Sequence, residues 1–247
     1  NQFQYSIDKK TNLDINPEIE INPFKLEKDN LLAYSYNLKN ILYINKSKQK
    51  YSAIFTFSEN ESKNNFSFGS TRNSQNYKRV NLIHKANEVY LIEFVANKER
   101  SSSSSENYLE KNYILEKEQL NPTITYLAGK NNRINFLYKL SKINNLLGNQ
   151  EFLNQKQFGL SVFLNQKQNR GFVSEFNYFK NEFNGNINSI ISYVMMNGLQ
   201  DGENYTWSVR FQQKISKLLD LNFVYYGRKS ENSRTIHNGS IQLKAIF

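Results

Sequence analysis

One feature limits what this chain can become more than any other: apolar and polar side chains alternate with period two in segment after segment. Successive side chains of a strand point to opposite faces, so this period marks strands with one apolar and one polar face. Tyr205, Trp207, Val209 and Phe211 share one face, opposite Thr206, Ser208 and Arg210. Leu219, Leu221, Phe223 and Tyr225 oppose Asp220 and Asn222, and Ile241, Leu243, Ala245 and Phe247 oppose Ser240, Gln242 and Lys244. Upstream the pattern returns in Phe172/Phe176/Tyr178, Phe158/Leu160/Val162/Leu164, Ile134/Phe136/Tyr138/Leu140 and Leu120/Ile124/Tyr126. Tyr90/Ile92/Phe94 and Tyr51/Ala53/Phe55/Phe57 continue it. In no segment does the helical period of 3.6 win.

Composition narrows the class of β protein. The hydrophobic fraction is 38%, low for a globular core, yet aromatics reach 14%, far from the aromatic-poor composition of disordered chains. A barrel in lipid reconciles the two, because half of each strand is polar and aromatics collect in girdles at both interfaces. No run approaches the roughly 18–20 apolar residues of a membrane-spanning helix. Cysteine is absent, which removes disulfide frameworks and thiolate sites. The net charge of +10 comes from scattered Lys and Arg with no nucleic-acid module, so anionic lipid head groups, rather than nucleic acid, are the expected counterpart. The chain opens at Asn1 without an initiator Met or signal peptide, as expected of a processed product or one part of a longer protein.

The connections point the same way. Short polar links (46–50, 85–88, 128–132, 167–170, 215–218) alternate with longer ones (58–65, 98–111, 143–157, 186–203, 229–235). Outer-membrane barrels have short periplasmic turns and long surface loops, so this parity sets Phe247 on the periplasmic side. The expected fold is all-β: an antiparallel transmembrane β-barrel of about 11–12 strands, complete or the C-terminal part of a larger one. Residues 37–247 form the barrel strands. Residues 1–36 are a linker or first edge strand continuing from upstream, with a twelfth strand inside 12–22, because Pro17 and Pro23 interrupt the alternation there. Ser101–Ser105 reads as a solvated loop tip, and Ile187–Met196 as a structured surface loop.

Chemistry-bearing residues are few. His237 and Ser240 lie three apart, so a strand places them on opposite faces and their dyad fails. His84 reads as an ordinary buried or interfacial histidine. Glu116/Glu118 and Glu18/Glu20 lie two apart and could share a face, but pairing with Lys and Arg in the lumen is the expected role. No metal-ligand spacing is present and no cofactor is expected. Tyr205, Trp207, Phe211, Phe223 and Tyr225 are expected in the interfacial aromatic girdle.

Two runs, Tyr225–Glu231 with Ile236–Leu243 and Gly198–Trp207, resemble the C-terminal region of large, poorly characterised outer-membrane proteins of the Bacteroidota. The general pattern of the resemblance reaches back to about Leu31. It implies a non-enzymatic barrel of the bacterial outer membrane that is a component or scaffold of a protein export or assembly complex. An outer-membrane channel or uptake transporter for small solutes is the alternative. Leu243, Ala245 and Phe247 also resemble the C-terminal signal read by barrel-assembly machinery, although Gln242 stands where Gly is usual. The implied partners are outer-membrane lipids and lipopolysaccharide, that machinery, and other outer-membrane or periplasmic proteins.

Overall fold

The computed structural model describes the backbone over residues 3–8, 11–25, 32–44, 50–66, 69–129, 131–148, 151–166, 170–216 and 218–245. Side chains are described at 41 and 44 and, from residue 50 on, throughout those ranges except at 66 and 166. The alternating segments become β1 (Phe3–Asp8), β2 (Thr11–Lys25), β3 (Leu32–Ile44), β4 (Tyr51–Phe66), β5 (Gly69–Lys85), β6 (Tyr90–Ser105) and β7 (Tyr113–Leu127). Then follow β8 (Arg133–Asn145), β9 (Phe152–Gln166), β10 (Arg170–Asn184), β11 (Gly202–Ser216), β12 (Leu219–Ser230) and β13 (Ile236–Ala245). Each strand pairs antiparallel with the next, giving a single all-β meander of 13 described strands.

Eleven of them, β3 to β13, match the segments expected from Asn37 onward, and β2 covers the segment expected inside 12–22. The additional strand is β1, six residues in which Phe3, Tyr5 and Ile7 alternate with Gln4, Ser6 and Asp8, inside the stretch expected as a linker or edge strand. β1 covers only Thr11–Ile15 of β2, so Pro17 and Pro23 fall where β3 is the sole described neighbour. A residue without an N–H is tolerated on such a free edge. Pro122 makes the same demand inside β7: the ladder to β8 steps from Leu120↔Leu140 to Thr123↔Leu137 and skips the proline.

The strands are longer than expected. A membrane crossing needs roughly 9–11 tilted residues, whereas β5 has 17 and β4 and β6 have 16. The excess lies at the long-loop end. Residues 58–65, expected as a loop, belong to β4, and Ser101–Ser105, expected as a loop tip, belong to β6. Those serines pair with β5 from Ser101↔Gln75 to Ser105↔Thr71, and Ser103 faces Tyr113 of β7. These five serines have no apolar side, so alternation vanishes while the backbone ladder continues.

Paired residues share a face, and each register from Leu13 of β2 to β13 can be followed strand to strand. Phe223 lies opposite Phe211, Phe211 opposite Phe172, Phe172 opposite Leu164, and Phe176 opposite Leu160. Leu160 meets Phe136, then Ile124, Ile92, His84 and Tyr51 in turn. Every apolar series read from the sequence thus joins one continuous face. Burial is inverted relative to a water-soluble protein: Phe136, Phe158 and Ile124 on that face are 54%, 52% and 49% exposed. On the opposite face Ser141, Asn181 and Asn204 are 3%, 2% and 0% exposed. Toward β13 both faces are exposed.

Apolar burial concentrates at the loop end of the inner face, where Leu115, Ile143 and Leu153 meet Met195 and Met196. The two methionines come from the β10–β11 connection, which carries a short helix, α1 (Ile190–Met195), inside the segment expected as a structured loop. Ser189 caps it by accepting from Ser192 N–H.

Candidate functional site

Three surfaces carry the chemistry: the outer belt, the charged rim above it, and the inner wall. On β6 the belt runs from Tyr90 through Ile92 and Phe94 to Ala96, with Lys98 next. At ~3.3 Å per residue this is about 20–25 Å along the strand, or roughly 15–20 Å along the membrane normal at the ~35–45° tilt of barrel strands, within the ~25 Å apolar band of outer-membrane barrels. Aromatic pairs mark both edges. At the turn end Tyr51 stacks on His84 at 4.4 Å and Tyr90 packs on Tyr126 at 5.4 Å. At the loop end Tyr138 and Phe158 lie 4.7 Å apart, Phe158 and Tyr178 6.3 Å, and Tyr178 and Tyr205 5.2 Å. Aromatic rings with polar tips favour such a boundary, where one end is apolar and the other wet.

The expected girdle residues lie on this face at two heights. Tyr205, Trp207 and Tyr225 stand toward the loop end; Phe211 and Phe223 form a cross-strand pair nearer the turn end. Trp207 lies across Gly227, where a Cβ would come within 2.4 Å of its ring, so only glycine admits the indole. Its Nε1–H donates to Tyr225 Oη at 3.3 Å, and Tyr225 Oη is 2.8 Å from His237 Nδ1. β12 and β13 pair without a bulge, so His237 stays on the outer face and Ser240 on the inner one. Leu243 and Ala245 face Leu221 and Leu219 on β12; Phe247 lies outside the described residues.

Glu116 and Glu118 share a face, but it is the outer face above the belt, not the lumen expected from sequence. Glu118 takes Lys98 at 2.8 Å and Glu116 takes Arg100 at 3.8 Å, while Arg72 reaches Glu61 across β4–β5 at 2.9 Å. The spacing put this pair on one side, and its parity with Leu120, Ile124 and Tyr126 makes that the outer side. The side chains of Glu18 and Glu20 are outside the described residues. Higher still, Glu106 accepts from Ser70 Oγ at 2.8 Å and from Ser70 N–H at 2.9 Å. These bonds to the ionised form hold its carboxyl below the usual range.

The inner wall carries the Asn, Gln and Ser expected to line it, joined into amide and hydroxyl ladders whose pairings the sequence did not reveal. Asn97 donates to Gln119 at 3.2 Å, and Gln119 donates to Ser141 at 2.9 Å. Gln155 bonds Asn181 and Gln157 bonds Asn177, each at 2.9 Å, and Asn81 donates to Glu93 at 2.6 Å. Partners 12 to 26 residues apart leave no local signal. At the loop end three buried amides fix the connections. Asn145 accepts from Ile114 N–H and Leu147 N–H and donates to Glu151. Asn181 donates to Gln200 O at 2.8 Å. Asn204 accepts from Gln200 N–H and Ser230 Oγ and donates to Gln200 O. Among the described residues no group of three or more His, Cys, Asp or Glu is placed to hold a metal ion.

No protein-family model matches this chain, and no curated protein matches it. Three solved structures are similar in outline. The transport unit of the autotransporter AIDA-I from Escherichia coli is 12% identical, with 98% of this chain and 91% of that one covered and a TM-score of 0.35. The β domain of the Bordetella autotransporter BrkA is 6% identical over 94% and 96%, with a TM-score of 0.43. The translocator domain of autotransporter NalP from Neisseria meningitidis is 10% identical over 87% and 83%, with a TM-score of 0.38.

Proposed function

We propose that this chain is a non-enzymatic β-barrel of the bacterial outer membrane that serves protein export or assembly as a component or scaffold of a complex there. The observation that carries the membrane reading is the inverted burial: an exposed apolar belt over a buried polar wall. Contiguous exposed apolar surface beyond a few hundred Å² is rare on soluble monomers. In lipid every backbone N–H and C=O must be paired, which among β structures only a closed barrel achieves. The resemblance of the C-terminal runs to large Bacteroidota outer-membrane proteins supports the export role, and membership of that family belongs to the same proposal. Outer-membrane lipids, lipopolysaccharide and the assembly machinery that would read Leu243, Ala245 and Phe247 are the expected partners.

A second reading, a small-solute channel, draws on the charges of the same wall, where the register sets Arg79, Arg133, Arg210, Glu93, Glu99 and Glu175 on the inner face. Planar-bilayer recording of purified protein separates the two. A large, stable open current refutes the scaffold reading. Co-purification of a stoichiometric partner in mild detergent, with no current, refutes the simple channel.

A further inference from the structure

The outer face is interrupted where β5 to β8 cross the loop-side girdle. Val80, Ala96, Leu120 and Leu140 are successive cross-strand neighbours there. Ala96 and Val80 are small where the belt otherwise carries Phe94, Leu82 and Tyr138, and the shortfall opens a groove of about 620 Å³. The next row toward the loops is Lys78, Lys98, Glu118 and Lys142, again successive neighbours, and it lines the groove's upper end. Lys78 and Lys98 also line an adjoining groove of about 440 Å³ with Phe57 and Arg100.

The charge in this row is unbalanced. Glu118 is bridged by Lys98, and among the described residues neither Lys78 nor Lys142 has a carboxylate within bridging distance. Lys78 stands directly opposite Lys98, an arrangement that costs stability between like charges. Lys156 and Lys180, opposite each other on β9 and β10, continue the row of Leu140 one step nearer the belt, with Glu203 facing Lys180. An anion between such lysines removes the repulsion, and it must sit at the height where the apolar belt ends.

We infer that this surface binds an outer-leaflet lipid with a phosphorylated head group: the phosphate on Lys78, Lys98 and Lys142, and an acyl chain along Val80, Ala96, Leu120 and Leu140. The inference rests on the outer-membrane reading, because a groove in that position meets lipid only if the belt does. Charge complementarity selects an anionic head group, and the apolar row directly beneath selects a lipid over a free anion.

The test is binding to the full chain refolded in dodecyl maltoside, with diphosphoryl lipid A, a zwitterionic phosphatidylcholine and inorganic phosphate as separate probes. Lipid A is expected to bind at least 10-fold more tightly than either of the others. Lys78→Gln with Lys142→Gln should weaken it about 10-fold or more, and Ala96→Phe, which fills the groove while keeping the charges, should weaken it similarly. Equal binding of phosphatidylcholine, equal binding of phosphate alone, or indifference to both variants overturns the lipid site. Heat-modifiable gel mobility reports folding of each variant. Wild-type protein that stays in solution without detergent instead refutes the membrane reading beneath it.

Discussion

Replacing Phe136 by Arg makes the inverted burial quantitative. Phe136 is 54% exposed, between Ile124 on β7 and Leu160 on β9, and its strand carries the belt from Ile134 to Leu140. On a water-soluble protein an exposed Phe→Arg change typically shifts stability by less than about 0.5 kcal/mol. On a lipid-facing strand near the bilayer midplane it costs about 2–4 kcal/mol, falling to about 0–1 near an interface. Ile134, next to the first residue of β8, lies close to the turn-side interface. The expected outcome is a depth gradient: Phe136→Arg loses about 2–4 kcal/mol, a roughly 30- to 700-fold shift in the folding equilibrium, and Ile134→Arg much less. Guanidinium titration of the chain refolded into phosphatidylcholine vesicles measures both. Fluorescence serves as the signal because Trp207 is the sole tryptophan. A Phe136→Arg loss below about 0.5 kcal/mol, or one no larger than that of Ile134→Arg, refutes the assignment of this face to lipid.

Further outcomes follow from single contacts. Gly227→Ala should push the indole of Trp207 off its seat, since a Cβ there would lie 2.4 Å from the ring, and the emission maximum should move; unchanged emission contradicts the packing. Asn204→Ala strips Gln200 N–H and Ser230 Oγ of a buried acceptor, a loss of about 1–3 kcal/mol. Limited proteolysis should then cut 186–201 faster than in the wild type, and an unchanged pattern counts against this anchor. Glu106 has a lowered carboxyl pKa, so its contribution is present above the unfolded-state value and is lost as pH falls through the folded one. Protection of the Ser70 amide, its exchange rate normalised to the intrinsic rate at each pH, should therefore fall in acid, and Glu106→Gln should remove that pH dependence; an acid loss of protection that persists in the variant points to another group.

Strand identity and face were legible because both are local. Tyr90, Ile92 and Phe94 need only their own spacing to define a face, and Trp207 with Tyr205 needs only its neighbours to suggest a girdle. His237 and Ser240 were likewise separable by counting residues, and the unbroken β12–β13 register keeps them apart. Strand length was not legible. Ser101–Ser105 has no apolar face; β5 pairs all five serines and β7 the first three, so what makes them strand lies in those neighbours. β1 carried the same signal, with Phe3, Tyr5 and Ile7 alternating against Gln4, Ser6 and Asp8, but over only six residues beside the proline-interrupted stretch.

What the sequence determined by itself is that many strands exist and that each has one side suited to lipid and one suited to water, since period two is a property of consecutive residues. Only the tertiary structure decided which residues of different strands meet. Register set Glu116 and Glu118 against Arg100 and Lys98, linked Asn97 to Gln119 and Ser141 on the inner wall, and aligned Lys78, Lys98 and Lys142 above one groove. It also folded Met195 and Met196 back onto Leu115, Ile143 and Leu153. Slipping one strand by a single residue would exchange all of its faces and break these sets, so they are specified by the alignment of the whole sheet and by no segment alone.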